Sequence, residues 1–271
     1  MNLFHAFPAG PGAFYQWEDF NDEYALTSNL PVAASSPWVG TAASTGTFAQ
    51  STDEQYGIAV LSAAATTDNS GTQIQRDMEC NTIQKGRKQR YMARFKLSDV
   101  TQSELFAGFS ITDTTILDGG GTLASGVTAS DAVGFYKPDG EAYIYMINRW
   151  NSAQAVTGAV NRTALVADTW YQVWFEIQPD ANTDGIGRII YGGEGLTVGT
   201  MQVTTLPYDE VLTESIAFLS GDASGTKTCS LDYTGSMVER VVGGFNLGSG
   251  SGSGGSGSTV FGSTPVTSPV A

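Results

Sequence analysis

Histidine is nearly missing from this chain: its 271 residues include one, His5. A Ser-His-Asp or Cys-His arrangement would have to be built on that residue. Its setting near the start, among Phe4, Phe7 and Phe14, suits packing better, so no catalytic residue is expected. Cysteine is almost as scarce. Cys80 and Cys229 do not make a disulfide framework and read as buried free thiols, with pairing between neighbouring strands as the alternative. Positive charge is short as well: 13 Lys and Arg against 27 Asp and Glu leave a net charge of −14. Such a surface repels phosphate backbones and anionic bilayers, so neither nucleic acid nor a membrane is expected as a partner. No apolar run approaches the ~20 residues of a membrane helix. No basic start followed by an apolar stretch marks a secretory leader. The expected place of synthesis is a cytoplasm, with any other destination reached by assembly into a particle.

Residues that favour helices are sparse too, Lys, Glu and Leu among them, while Gly, Ser, Thr, Ala and Val abound. The most informative stretch is TWYQVWFEIQP, residues 169–179. With a period of two, Tyr171, Val173, Phe175 and Ile177 fall on one face, and Trp170, Gln172, Trp174 and Glu176 on the other. That alternation predicts a central strand with one face against a core. The two tryptophans predict that the second face is also covered in part, by a loop, a second layer or another subunit. Further strand signals bounded by turn residues fall at 17–26, 56–63, 72–80, 90–97, 105–112 and 132–137. They continue at 142–148, 163–165, 187–191, 214–219 and 228–240. Pro138-Asp139-Gly140 predicts a tight reversal, since Pro presets φ and Gly takes a positive φ. Residues 27–52 read as loop with short extended pieces around Trp38 and Phe48. Many short strands and no amphipathic helix predict an all-β sandwich or barrel.

The β body is expected over residues 17–242. An extended arm, 1–16, precedes it, with Phe4, Phe7, Phe14 and Tyr15 as docking points. A Gly/Ser-rich uncharged tail, 243–271, follows, with Val260 and Phe261 as a small apolar plug. Ordering such segments costs ~1–2 kcal/mol per residue, so both ends are expected to gain order only against neighbouring chains.

Asp180, Asn182 and Asp184, followed by Gly185, reproduce the first half of a calcium loop, with oxygen ligands at positions one, three and five. The twelfth position is Tyr191 rather than a bidentate Glu, and the same letters make an ordinary polar turn. Ca2+ is the one cofactor these residues suggest. A glycosidase needs two carboxylates about 5–9 Å apart. Glu18 with Glu23, and Glu176 with Asp180, lack the alternation that would point a pair into one cleft. Six of the thirteen cations, Lys85, Arg87, Lys88, Arg90, Arg94 and Lys96, crowd into one short segment. They read either as a grip on an acidic neighbour or a copy of this chain, or as a solvated sheet edge. Trp38, Tyr145 and Trp150 are candidates for stacking on sugar rings, with hydrophobic core or subunit contact as the alternative. Asn161-Arg162-Thr163 is a glycosylation acceptor pattern with no expected use in the absence of a leader.

The order ARFKLSD (93–99), LFAGFSITDTT (105–115), DAVGFYKPDGEAYIY (131–145), TWYQVWFEI (169–177) and LDYTGSMVER (231–240) resembles concanavalin A-like (LamG-like) jelly-roll proteins of tailed-bacteriophage virions. The likeness runs over residues 17–240 and rests on structural motifs. It implies a two-sheet antiparallel jelly roll and a non-enzymatic capsid-decoration, head-fibre or tail-associated role. It also implies a homo-oligomer, often a trimer, located in the virion and partnered by the major capsid protein or other virion proteins. It carries over no binding residue. The alternative is a carbohydrate-binding module of a phage head or tail, from whose sugar-binding relatives the incomplete calcium loop sets this chain apart.

Overall fold

Alternation of apolar and polar residues is realised as strands throughout a computed structural model that describes residues 13–20, 25–26, 37–51, 57–64, 66–160 and 163–239. The first strands are β1 (Ala13–Glu18), β2 (Ala25–Leu26), β3 (Trp38–Ala43), β4 (Thr47–Gln50), β5 (Ala59–Ala63), β6 (Gly71–Arg76) and β7 (Asn81–Thr82). The middle of the chain supplies β8 (Gln89–Leu97), β9 (Ser103–Ser110), β10 (Ala132–Lys137), β11 (Tyr145–Trp150) and β12 (Ala153–Ala159). The remainder forms β13 (Trp170–Pro179), β14 (Gly187–Gly193), β15 (Gly199–Val203), β16 (Val211–Ser220) and β17 (Lys227–Glu239). No helix occurs among the described residues, so none there is long and apolar enough to cross a membrane.

The strands make a two-sheet antiparallel jelly roll. One sheet has nine strands in the order β15-β14-β13-β8-β17-β5-β4-β2, with β1 also on β17. The other has eight, β12-β11-β10-β9-β16-β6-β3, with β7 also on β16. Each sheet is therefore joined in its middle by one of the last two strands of the chain. In the first, β17 lies between β8 and the early pair β1 and β5. In the second, β16 lies between β9 and the early pair β6 and β7.

Inner faces pack as the 169–179 pattern predicts. Val173, Phe175 and Ile177 of β13 are wholly buried. Phe175 sits at the centre of an aromatic cluster that crosses the sandwich. Its ring stacks on Tyr91 of β8 at 5.2 Å and meets Phe109 of β9 edge-on at 5.6 Å. Phe135 of β10 closes the group at 5.9 Å. Burying a Phe of this kind contributes about 1.5–3 kcal/mol before packing is counted. Gly140 takes the expected positive φ, 76°, between β10 and β11.

The outer face of the eight-stranded sheet is also apolar. Phe106, Ala132, Tyr136, Ile147, Ala217 and Leu219 are covered there by Ile116, Leu117, Val127 and Ala129 of the β9–β10 loop. Gln73 and Gln75 of β6 hold the start of that loop, accepting from the Ile116 and Asp113 amides at 2.9 and 3.0 Å.

A charged cluster lies inside the sandwich. Glu214 of β16 is wholly buried and pairs with Arg76 of β6 at 3.0 Å. The Arg76 guanidinium lies 4.7 Å from the centre of the Trp38 ring. Thr234 and Ser236 of β17 donate hydroxyls to the Glu214 carboxylate. Trp38 Nε1 donates to Glu18 of β1 at 3.2 Å, and Cys80 and Ser236 both donate to Gln16. The network ties β1, β3, β6, β16 and β17 together across both sheets.

Several expectations need correction. β1 begins at Ala13, inside the stretch read as an arm, because its inward residues Gln16 and Glu18 reach this interior network. The signal at 17–26 is not one strand: β1 ends at Glu18 and β2 spans Ala25–Leu26. Residues 163–165 are not a strand, while β12 and β15 form the far edge of each sheet. Both cysteines are free, Cys229 buried and Cys80 partly so. The arm before Ala13, the tail beyond Glu239 and the Asn161-Arg162 pair lie outside the described residues.

Candidate binding face on the nine-stranded sheet

Period-two alternation sends every second residue of β1, β8, β13 and β17 away from the core. In β17 one irregularity decides which ones. The register shifts between Leu231 and Tyr233, so Asp232 is a bulge. Before it, Cys229 and Leu231 face the core; after it, Thr234 and Ser236 do. Tyr233, Gly235 and Met237 are thereby turned outward.

The register then builds a row across the outer face. Trp17 of β1 lies opposite Gly235, Gly235 opposite Met92, Met92 opposite Trp174, and Trp174 opposite Gly192. A Cβ on Gly235 would lie 2.7 Å from Cε3 of Trp17, so the indole rests on bare backbone. Trp17 is 46% exposed and stacks on Tyr233, with centroids 4.9 Å apart and planes 25° from parallel. Such a pair is worth about 0.5–1.5 kcal/mol beyond its buried area. Tyr15, two residues earlier on the same side, is also exposed. Met92 and Met237 lie almost fully buried beneath this layer.

The cations of β8 cross the same face. Arg94 pairs with Asp232, the bulged residue, and its guanidinium lies 4.9 Å from the Trp170 ring centre; Lys96 approaches the same ring at 5.0 Å. Arg90 pairs with Glu176, to which Lys88 adds a longer contact at 3.9 Å. The partly exposed Arg94–Asp232 pair adds little to stability, about 0–1 kcal/mol, while Arg90 and Glu176 are mostly buried. The Arg94–Asp232 pair holds that guanidinium over the Trp170 ring, which lowers the ordering cost of any later contact there.

The basic segment is thus central, not a solvated edge, because β8 has β13 on one side and β17 on the other. Of the proposed contacts, Lys85 is paired with Asp184 at 2.7 Å, while Arg87 and Lys88 are half-buried beside the face. Phe14 shares the inner side of β1 with Gln16 and Glu18, and Tyr15 shares the outer side with Trp17. Phe4, Phe7, Val260 and Phe261 lie outside the described residues.

The sugar-stacking candidates separate. Trp38 is wholly buried against Phe20, Arg76 and Glu18, so it is a core residue and cannot stack on a ligand. Tyr145 is half-buried and donates to Glu141 at 2.6 Å. Trp150 is half-buried at the end of β11, tilted against exposed Tyr208 at 6.2 Å, and donates to Asp209 at 2.9 Å. The structure does not bring these three together.

The Asp180 loop forms a turn whose two carboxylates have partners within the protein. The Asp180 carboxylate accepts the Asn182 and Thr183 amides at 2.8 Å, which holds it below the usual carboxylate range, and Asp184 is taken by Lys85. Among the described residues no group of three or more His, Cys, Asp or Glu side chains is gathered to hold a metal. The carboxylates weighed for glycosidase chemistry are engaged elsewhere, Glu18 with Trp38 and Glu176 with Arg90.

No family model matches this chain, and no curated protein does. Solved structures do. A protein of unknown function from Shewanella oneidensis MR-1 superposes with a TM-score of 0.54 at 14% identity, covering 85% of this chain and 88% of that one. A seed lectin of Lotus tetragonolobus gives 0.51 at 11% identity, with 81% and 100% covered. An endo-1,3-beta-glucanase from Streptomyces sioyaensis gives 0.50 at 10% identity, with 86% and 99% covered. The fold is the concanavalin A-like jelly roll that lectins and glucanases share. At these identities the likeness is one of fold, and function has to be argued from the face itself.

Proposed function

We propose that this chain is a non-enzymatic structural protein of a bacteriophage virion, a capsid-decoration or head-associated subunit that docks on its neighbours through the outer face of the nine-stranded sheet. One observation carries the reading: Trp17 and Tyr15 stand exposed beside Tyr233, Arg94 and Trp170, with Met92 and Met237 beneath them. Trp, Tyr, Arg and Met are the residues that enrich the centres of protein interfaces, and Trp, Tyr and Arg dominate their hot spots. The sequence resemblance supports the virion as the location. Repeated contacts over a particle supply avidity without a tight single site.

Co-sedimentation of the full chain with capsids of its phage, alongside sedimentation velocity of the chain alone, tests this. Trp17→Ala is expected to lose capsid binding, self-association or both while keeping its β circular dichroism spectrum. A wild-type chain that is monomeric and stays in the supernatant refutes it.

A second reading, glycan binding, is favoured by Trp150 and Tyr208, which present two rings and the Asp209 carboxylate together at one end of the sandwich. Glycan-array binding lost in Trp150→Ala and kept in Trp17→Ala would move the function there.

A further inference from the structure

The β9–β10 loop that covers the eight-stranded sheet contains DGGGTLASG, residues 118–126, and this segment closes over a carboxylate. Glu104 of β9 is wholly buried. Its Oε1 accepts the Tyr136 hydroxyl at 2.6 Å, and its Oε2 has no partner. The carbonyl oxygens of Gly121 and Thr122 lie 3.2 and 3.5 Å from the same hydroxyl. Asp118 faces Glu104 from the loop: the point a Gly121 Cβ would occupy is 2.6 Å from Asp118 Oδ1 and 2.8 Å from Glu104 Oε1. On the far side of the loop, Asn69 Oδ1 is another buried oxygen without a partner, packed against Gly119.

The census is one-sided. Tyr136 brings a single hydrogen to a ring of oxygens. Lys137, the nearest cation on β10, donates instead to the carbonyls of Ser103 and Pro138. A buried carboxylate oxygen with no partner is costly, and two carboxyl groups this close need a proton or a cation between them. Asp118 is exposed, which gives a path from solvent.

We propose that Glu104 and Asp118, with carbonyl oxygens of the 118–126 loop, bind a calcium ion that pins this loop to the sheet. The donors are all oxygen, as a hard cation requires. Calcium accepts six to eight such ligands in irregular geometry, with water completing the set, whereas magnesium demands a near-ideal octahedron. This site is separate from the Asp180 turn, whose carboxylates are already used.

The test is titration of the chelator-treated full chain with calcium chloride, followed by calorimetry and thermal unfolding. Terbium serves as a second probe, because Tyr136 beside the site can sensitise its emission. One ion per chain and a rise of a few degrees in Tm are expected, with EGTA reversing the rise. Glu104→Gln and Asp118→Asn should each abolish both the rise and the terbium emission. Asp118 is on the exposed rim, so its variant tests the site even if Glu104→Gln folds poorly. Silence of the wild type to both ions overturns the proposal. So does calcium binding that survives unchanged in both variants, or a Glu104→Gln chain that is more stable than a wild type indifferent to calcium, since a proton then holds the pair.

Discussion

Arg76→Met should be among the most damaging single changes in the molecule, and its cost should depend on pH in a stated direction. The substitution keeps an unbranched chain under Trp38 but removes the positive charge 3.0 Å from Glu214. Glu214 is wholly buried, and it would be left with the Thr234 and Ser236 hydroxyls alone. Breaking a buried pair from one side costs about 3–5 kcal/mol. For a body of this size that is a fall in Tm of about 6–20 °C. Burial already raises the Glu214 carboxyl, with Arg76 opposing the rise, so removing Arg76 raises it further. A carboxyl raised in the folded state binds more protons there than in the unfolded chain. Stability is therefore lost as pH climbs above the unfolded value, about 4.3. The deficit of Arg76→Met relative to wild type should be small near pH 5 and full near pH 8. Urea unfolding at both pH values measures it. Adding Glu214→Gln should recover most of the loss at the higher pH, since the uncompensated charge is gone. A deficit under about 1 kcal/mol at neutral pH, or one that does not change with pH, refutes the reasoning.

Two further outcomes follow from close contacts. Gly235→Ala places a methyl 2.7 Å from Cε3 of Trp17 and should swing the indole off Tyr233; near-ultraviolet circular dichroism should change in the wild-type background and not in Trp17→Phe. Lys137 is wholly buried, and burial pushes its ammonium down to about 8, so the unfolded chain binds more protons than the folded one above that pH. Stability should gain with pH between about 8 and 10.4 by up to 1.4 kcal/mol per unit, and Lys137→Met, measured by denaturant midpoint, should lack that gain.

How much of this was legible follows from where each residue sits. The 169–179 alternation was visible because β13 is central: its inner residues must all be large and apolar, so the period is unbroken. β12 and β15 were not anticipated because they are edge strands, each paired on one side, and need less apolar density to hold. β1 was hidden for the opposite reason: Gln16 and Glu18 point inward to a polar interior, so its pattern is inverted. Trp38 has the letter of a sugar platform and the burial of a core residue, a distinction that only the third dimension supplies. The binding face was half legible. Trp170 and Trp174 shared a side in the sequence pattern, but what lies on Trp170 is Arg94 and Lys96 of the adjacent strand β8 and not the loop, second layer or subunit that the pattern suggested. Tyr233 could not have been placed, since unbroken alternation assigns it to the side of Cys229 and Leu231. The bulge at Asp232 reverses that assignment, and no spacing rule announces a bulge.

The placement of β16 and β17 sets the order in which the chain can become a protein. Until these last two strands leave the ribosome, each sheet exists as two fragments and one unpaired short strand, β1 or β7, with raw hydrogen-bonding margins facing an empty slot. The early strands and the middle strands can meet only when the final 29 residues of the body, Val211–Glu239, slide between them and zip the pieces together. Closure must wait until β17 has emerged, and the nascent chain spends that interval with its most adhesive margins open, which makes chaperone shelter or slow translation of the early part more valuable here than in a fold that closes as it emerges.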